Sequence, residues 1–337
     1  MKMYLYIELG ALNSGAGGCR FVEDVGRAMC EEIRLEIGTV QYDRIYPELM
    51  HAVEEQSVLA EKQLGKVTGK SQSVAELVDM AKNTQYLYIP LIFYFQNDYG
   101  SAIPLVALHL TDIKVYVKLK AKSDMIVSVG AAYTVLTTDA TINAMNLLCE
   151  IAFLDDAERE WFANTNLKYL ITQHQYLGLQ TITSGKTSAS VDLLFNHPVK
   201  EFIWMMRSAA NTTAKSLFNF SGAETGNLTG ETFATATLQL NGQQRVQALG
   251  PLYYRVLQNK DHHSRIPLKH VYCYSFALYP EDPQPSGSLN MSRIDSSRLQ
   301  FTFTAALTEN YDLFLYAKNI NRYVICYFFT NCITMVF

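Results

Sequence analysis

Met3-Tyr4-Leu5-Tyr6-Ile7-Glu8-Leu9 decides how this chain is read: every odd position is apolar, and the even positions hold Tyr, Tyr and Glu. Period-two alternation sends one side chain to a core and the next to water, as in a half-buried β-strand. The pattern returns along the chain. Ile33, Leu35 and Ile37 alternate with Arg34 and Glu36. Val115, Val117 and Leu119 alternate with Lys114, Tyr116, Lys118 and Lys120, and Leu299, Phe301 and Phe303 with Gln300, Thr302 and Thr304. Antiparallel sheets with one solvated face give this alternation; parallel sheets buried on both faces give continuous apolar runs. The expectation is an all-β, antiparallel protein with few long helices.

Two short helices are expected. Ser73-Val74-Ala75-Glu76 has capping-box spacing, with the Ser hydroxyl placed to take a free backbone N–H and Glu76 to reach back. The run it opens ends near Lys82. Asp155-Asp156-Ala157-Glu158 puts acids in a first turn, where the helix dipole favours them. That helix is expected to pass Trp161 and Phe162 toward Tyr176, weakened at Asn164-Thr165-Asn166.

Of the 337 residues 49% are apolar and 18% charged, and the net charge is -4. With 21 Tyr, 17 Phe and 2 Trp the chain has ample core material, which excludes the disordered class. Collagen-like or coiled-coil bias is absent. Single cores stop growing near roughly 250–300 residues, so two domains are expected. A nucleic-acid binder would carry a strongly basic face, against which the near-neutral charge argues. The six Cys stand at 19, 30, 149, 273, 326 and 332, with no C-x-x-C spacing, and are expected as buried free thiols of a reducing compartment. Met1-Lys2-Met3 runs straight into the alternating segment without a secretory signal. Residues 323–337 are uncharged, but shorter than the roughly 18 residues of a spanning helix.

Residues 178–192 are small and polar and read as a linker. The expected division is a first domain over 1–180, a linker over 181–192 and a second domain over 193–337. Residues 208–237 read as a long surface loop. The halves show an imperfect repeat. Leu35-Glu36-Ile37-Gly38 with Arg44 parallels Leu238-Gln239-Leu240-Asn241-Gly242 with Arg245. Tyr86-Leu87-Tyr88-Ile89-Pro90-Leu91 parallels Val271-Tyr272-Cys273-Tyr274-Ser275-Phe276, and 108–117 with Asp112 parallels 291–301 with Asp295. Two copies of one many-stranded unit with a few very long loops point to jelly-roll sandwiches.

Chemistry is scarce. His262-His263 has no third ligand at useful spacing and reads as a solvated loop. Gly185-Lys186-Thr187 lacks the Gly four residues earlier that a phosphate loop needs. Asp155, Asp156, Glu158 and Glu160 are accounted for by the helix start. Asn211, Asn219, Asn227 and Asn290 open glycosylation sequons, expected to be unused. No catalytic, cofactor-binding or metal-binding residue is expected, and no cofactor.

One string is more specific: Gln284-Pro285-Ser286-Gly287-Ser288-Leu289-Asn290-Met291-Ser292-Arg293-Ile294-Asp295. Pro-Ser-Gly makes a sharp turn, and a strand after it would present Asn290, Ser292 and Arg293 to a neighbouring loop or subunit. Preceded by Tyr274-Ser275-Phe276-Ala277-Leu278, the string resembles the signature of major capsid proteins of nucleocytoplasmic large DNA viruses (iridoviruses, phycodnaviruses, asfarviruses and mimivirus relatives). His197-Pro198-Val199-Lys200-Glu201-Phe202-Ile203-Trp204 resembles the opening strand of that family's second jelly roll, and 238–245 its LxLNGxxR segment. Residues 88–95 and 102–108 resemble late strands of the first jelly roll, 153–163 the helical segment before the interdomain linker, and 312–321 the closing strand.

The resemblance implies two tandem antiparallel jelly rolls with short helices in loops. It implies a structural, non-enzymatic capsid protein that forms homotrimeric, pseudo-hexagonal capsomers of an icosahedral virion. Implied partners are other copies of the chain, neighbouring capsomers, minor capsid proteins and, indirectly, an inner viral membrane, with no direct nucleic acid and no small-molecule substrate. The implied location is the capsid shell, assembled at viral factories in the host cytoplasm. Against the family pattern the chain is expected to start at the second or third strand of the first jelly roll, leaving an unpaired edge, and 322–337 departs from the family's small-residue ending. Two alternatives remain: a membrane-shaping viral scaffold of the same fold, as in the poxvirus-type double jelly roll, and a carbohydrate-binding jelly-roll module.

Overall fold

The computed structural model describes residues 2–12, 18–71, 73–96, 98–129, 139–224, 229–325 and 333–336. Met3–Leu9 forms β1 with its odd residues buried, as the alternation requires. It is followed by β2 (Cys19–Phe21), β3 (Cys30–Ile37), β4 (Val40–Ile45), β5 (Gln85–Pro90), β6 (Ile113–Leu119), β7 (Ile126–Ser128), β8 (Ile142–Cys149) and β9 (Leu167–Tyr176). The later strands are β10 (Gln180–Ile182), β11 (Ser188–Asp192), β12 (Pro198–Ser208), β13 (Thr235–Leu240), β14 (Gln243–Leu249), β15 (Tyr272–Ser275), β16 (Leu289–Asn290), β17 (Ser297–Thr302), β18 (Tyr311–Ile325) and β19 (Ile333–Val336). Among the described residues six α-helices join them: α1 (Val25–Ala28), α2 (Pro47–Ser57), α3 (Val74–Ala81), α4 (Asp156–Asn164), α5 (Ala209–Thr213) and α6 (Gln258–His262).

Two compact units emerge. One holds Met1–Met50, Leu64–Gln173 and Asn321–Phe337, the other His51–Gln63 and His174–Ile320. These differ from a simple division at 181–192: two segments are counted with the unit opposite to their place in the chain. The expected linker itself is built into the second unit. Gln180–Ile182 pairs with β18, and Ser188–Asp192 with β17. Small polar residues suit a linker, but they suit an exposed edge strand equally well.

The repeat in the sequence is a repeat of strand order. In the first unit the sheets run β5-β1-β8 and β4-β3-β6, all antiparallel, with a separate β2-β7 pair. In the second they run β15-β12-β18 and β14-β13-β17, again antiparallel. Thus β1 corresponds to β12, β3 to β13, β4 to β14, β5 to β15, β6 to β17 and β8 to β18. Even single tethers recur. The Gly38 N–H donates to the Asp112 carbonyl at 2.8 Å, and the Asn241 N–H to the Ser296 carbonyl at 2.7 Å. Each tether fixes a hairpin turn to the residue just before the neighbouring strand.

The second unit is a sandwich. Trp204 of β12 and Leu315 of β18 share one buried cluster with Leu238 of β13 and Phe301 of β17, so the inner faces of both sheets meet. Phe233 bridges them, its ring 4.8 Å from Tyr272 and 5.3 Å from Phe301. Phe218, Phe220 and Phe233 are fully buried, which corrects the reading of 208–237 as surface loop. The described part of that stretch holds α5 and the start of β13 and is anchored by three Phe.

Two helix readings also change. The capping box at Ser73 is not made. The Ser71 hydroxyl, not Ser73, bonds Glu76, at 2.5 Å. Asp155 does cap α4, accepting from the Glu158 N–H at 2.7 Å. The helix stops at Asn164, and the residues toward Tyr176 are strand β9. The 11-residue α2 had no period-3.6 apolar stripe to reveal it. Its buried side chains include His51, Glu54, Glu55 and Gln56, held by local partners: the His51 ring stacks on Phe218 at 4.5 Å, and Gln56 donates to Asn259 at 2.9 Å.

Candidate functional site

Three places in the fold carry the residues that bear on function: the His262-His263 pair, the Pro285–Asp295 string, and the exposed apolar surface of the first unit. The pair ends α6, and its two rings part company. His262 is near the surface, Nδ1 3.0 Å from the Leu278 carbonyl. His263 is buried, Nε2 2.8 Å from the Glu201 carboxylate and Nδ1 3.0 Å from Glu281. The Lys318 ammonium reaches Glu201 at 3.4 Å, and Glu281 also accepts from the Ser264 N–H at 3.0 Å. The solvated-loop reading therefore fails for His263, whose ring is the cation of a sealed ion pair. Burial alone would lower its pKa; Glu201, with Cys273 and Glu281, outweighs burial and pushes it up to about 12. Burial would likewise raise Glu201, but His263 and Lys318 hold it down to about 2.

Cys273 of β15 also meets His263, so a thiol, an imidazole and a carboxylate lie together. The set has the composition of a nucleophilic site and lacks its physics. Cys273 is fully buried, and burial raises its thiol pKa. The thiolate, which is the reactive form, is disfavoured, and no substrate reaches the sulfur. Cys19 and Cys30 are likewise buried free thiols, Cys149 is exposed, and Cys326 and Cys332 lie outside the described residues. Among the described residues no cluster of His, Cys, Asp and Glu is placed to hold a metal ion. Gly185-Lys186-Thr187 forms the turn between β10 and β11, strapped by Gly185 N–H to Leu307 and by Leu307 N–H to Lys186.

The Pro285–Asp295 string stays at the surface, with Asn290, Ser292 and Arg293 exposed and only Met291 buried, and its hydrogen bonds tie it to a neighbouring loop. The Ser286 hydroxyl accepts from the Tyr279 N–H at 2.8 Å and closes the turn. Gly287 stands at φ 145°, where a Cβ would come within 2.8 Å of the Phe276 carbonyl. Only Leu289–Asn290 is strand, paired with Val199 and Pro198 of β12. Asn290 accepts from the Ser292 N–H at 3.1 Å, and the Ser292 hydroxyl from the His197 N–H at 2.9 Å. Asn241, from the other motif, accepts from the N–H groups of Asp295 and Ser296 at 3.0 and 3.2 Å. Two motifs far apart in sequence are thus one junction that locks both sheets of the second unit. The sequon residues Asn211 and Asn219 bond each other, through Asn219 Nδ2 to Asn211 Oδ1 at 3.2 Å. Asn227 lies outside the described residues.

The first unit carries the larger open surface. A cleft of about 590 Å³ opens beside α4, walled by Tyr99, Ile103, Leu105, Phe153, Phe162 and Tyr169. Phe153 is 90% exposed on its rim, and Ile151 and Trp161 are also exposed. Its polar groups are few: Glu150, bonded to the Tyr99 hydroxyl at 3.4 Å, and Arg159. An apolar cleft with bulky exposed aromatics at its lip suits a protein–protein contact better than catalysis.

Residues 2–155 match the model of the major capsid protein N-terminus, and residues 158–329 match that of the large eukaryotic DNA virus major capsid protein. The chain belongs to this capsid protein family. The major capsid protein of Pyramimonas orientalis virus is 30% identical over 302 residues, which are 81% of this chain and 69% of that protein. That of Paramecium bursaria Chlorella virus 1 is 29% identical over 327 residues, 89% of this chain and 72% of that protein. Among solved structures, the quasi-atomic model of the PBCV-1 virus capsid superposes with a TM-score of 0.78 at 24% identity, over 100% of this chain and 89% of that one. The fold is the double jelly roll expected from the repeat. Asn241, Ser286 and Ser292, from the stretches on which the sequence resemblance rests, make hydrogen bonds within the second unit.

Proposed function

We propose that the chain is a structural shell protein that assembles with its own copies into homotrimeric capsomers, which tile the icosahedral capsid of a large double-stranded DNA virus. The observation that carries this is the duplication: one chain holds two units of the same strand order, and family matches cover both. Three such chains around a three-fold axis present six similar units, a hexagon-like tile. The apolar lip at Phe153, with the exposed Trp161 ring against the cleft-lining Phe162, supplies one contact surface. Neighbouring capsomers and minor capsid proteins are the other partners, with an inner viral membrane approached only through them. Direct nucleic-acid contact and a small-molecule substrate have no part in this reading.

The chain acts without catalysis, cofactor or metal. Support comes from the thiol–imidazole–carboxylate group of Cys273, His263 and Glu201, which is buried and committed to an ion pair. The protein resides in the virion shell after assembly in cytoplasmic viral factories. Light scattering coupled to size exclusion tests the reading. A species of about three times the 38.1 kDa chain mass, seen as a three-fold particle by electron microscopy, supports it. A stable monomer at every concentration overturns the capsomer assignment.

A further inference from the structure

The two larger sheets of the first unit turn different faces to water. On the β4-β3-β6 sheet the outward positions are charged, with Arg34 and Glu36 on β3 and Lys114 and Lys118 on β6. Arg34 pairs with Glu36 at 2.9 Å, and Lys118 reaches Glu31 at 2.7 Å. The β5-β1-β8 sheet instead turns outward Tyr4, Tyr6 and Glu8 of β1 beside Tyr86 and Tyr88 of β5. Tyr6 lies opposite Tyr88, with ring centroids 5.0 Å apart, and Glu8 lies opposite Tyr86. On the other side of β1, Asn146 stands opposite Tyr6. Glu8 accepts a hydrogen bond from the Asn143 amide at 3.3 Å, at the end of the tyrosine rows. Tyr86 is 58% exposed and Tyr88 39%, so the rings are open to a ligand. The three strands contain no Lys or Arg.

The duplicated sheet in the second unit shows what a covered face is made of. There Ile203, Met205 and Phe314 take the places of Tyr4, Tyr6 and Asn146, and all three are buried. The chain leaving α6 packs against that face, His263 on Glu201 at 2.8 Å. The face of the first unit differs in kind: every ring carries a hydroxyl that water can satisfy, so it is stable when wet. Tyr rings also lose little conformational entropy on being covered. They offer flat apolar area to the C–H face of a sugar ring, while the carboxylate and amides beside them hydrogen-bond its hydroxyls. With no cation on its strands, the face has no charge-assisted donor for phosphate or sulfate. We infer that the outer face of the β5-β1-β8 sheet binds a neutral oligosaccharide, its pyranose rings stacked on Tyr6, Tyr86 and Tyr88 and its hydroxyls bonded to Glu8, Asn143 and Asn146. From Tyr4 to Glu8 the row spans about 13 Å at the rise of a strand, room for a short oligosaccharide. Glycan attachment goes beyond the shell-forming role and stands or falls separately from it.

The test titrates the full chain with cellohexaose, chitohexaose and mannohexaose in isothermal titration calorimetry, with a heparin hexasaccharide as the anionic control. Saturable binding of at least one neutral probe is expected, and none of heparin. Tyr86→Thr and Tyr88→Thr, at exposed positions and with strand propensity kept, should each weaken binding about tenfold. Circular dichroism and the urea midpoint should stay unchanged. Tyr88→Phe, which keeps the ring, should retain most of the affinity. No saturable heat with any neutral probe overturns the inference, and so does binding indifferent to both Thr variants. Binding of heparin alone shows an anion site and overturns it too. Light scattering on the same variants covers the remaining occupant. If Tyr86→Thr and Tyr88→Thr together convert an oligomer to monomer, the face is an interface between copies and the inference fails. A wild-type chain that stays monomeric yet binds a neutral probe through these Tyr removes the capsomer reading and upholds this one.

Discussion

Glu201 lies on a central strand with no access to water, and its charge survives there because His263 and Lys318 face it at 2.8 and 3.4 Å. Removing one member of such a group leaves a buried charge uncompensated, so His263→Gln is expected to cost about 3 kcal/mol or more in urea unfolding at pH 6. The pH dependence has a definite sign. His263 is raised from 6.5 to about 12, so its contribution is complete below pH 6.5 and is lost as pH climbs through the range above. Glu201 is lowered from 4.5 to about 2, so its contribution is complete above pH 4.5 and is lost on acidification. The stability gap between the wild type and His263→Gln should therefore be widest near pH 5–6 and shrink by about 1.4 kcal/mol per pH unit above 6.5. A gap that stays constant to pH 9 would mean that the imidazole is not the cation of the pair. Asn241 is the other decisive residue, with φ 50° and two accepted hydrogen bonds. Asn241→Ala loses both bonds and strains a left-handed position, at an expected cost of about 2 kcal/mol by thermal unfolding. Asn241→Gly, which relieves the backbone, should recover part of it.

At the scale of elements, β-strands were the legible part and the polar interior was not. Alternation at Met3–Leu9, Ile33–Ile37 and Leu299–Phe303 marks strands because one face of each sheet is wet. The repeat was readable because hairpin turns need particular residues: Asn241 and Gly242, both at positive φ, make the tight turn that matches strand twist. What stayed hidden had no such local cause. His263 looks like half of a polar dipeptide, and only tertiary packing seals it against Glu201, sixty-two residues away in sequence. α2 escaped because its buried residues mix polar His51, Glu54, Glu55 and Gln56 with apolar Leu49, Met50 and Ala52, which breaks up any apolar stripe, and 181–192 because an edge strand and a linker share one composition. The helix with a clear local signal, α4, is where an element can be tested alone. Asp155→Ala removes the acceptor of the Glu158 N–H and should fray the first turn, at about 1 kcal/mol. Since α4 walls the apolar cleft, the fluorescence of Trp161 should shift to longer wavelength in that variant, while β-sheet circular dichroism stays unchanged.

At the scale of the whole molecule, specific hydrogen bonds such as those of Asn241 and Ser292 fix the second unit, and both units leave large apolar side chains at the surface, Phe153 and Trp161 on the first and Leu194, Leu268 and Leu278 on the second. Phe153 separates assembly from folding, because 90% exposure means that it contributes almost nothing to its own unit's core. Phe153→Asp is therefore expected to leave the unfolding midpoint within about 0.5 kcal/mol of the wild type. In association the same change puts a carboxylate where an aromatic anchor would be desolvated, which typically costs 2 kcal/mol or more per contact. Repeated in every contact of a closed oligomer, that loss should shift size exclusion from the oligomer to the 38.1 kDa chain at micromolar concentration. If Phe153→Asp and Trp161→Asp together leave the oligomer intact, the cleft lip is not a contact surface, and the assembly must be held by the exposed apolar residues of the second unit, such as Leu194, Leu268 and Leu278.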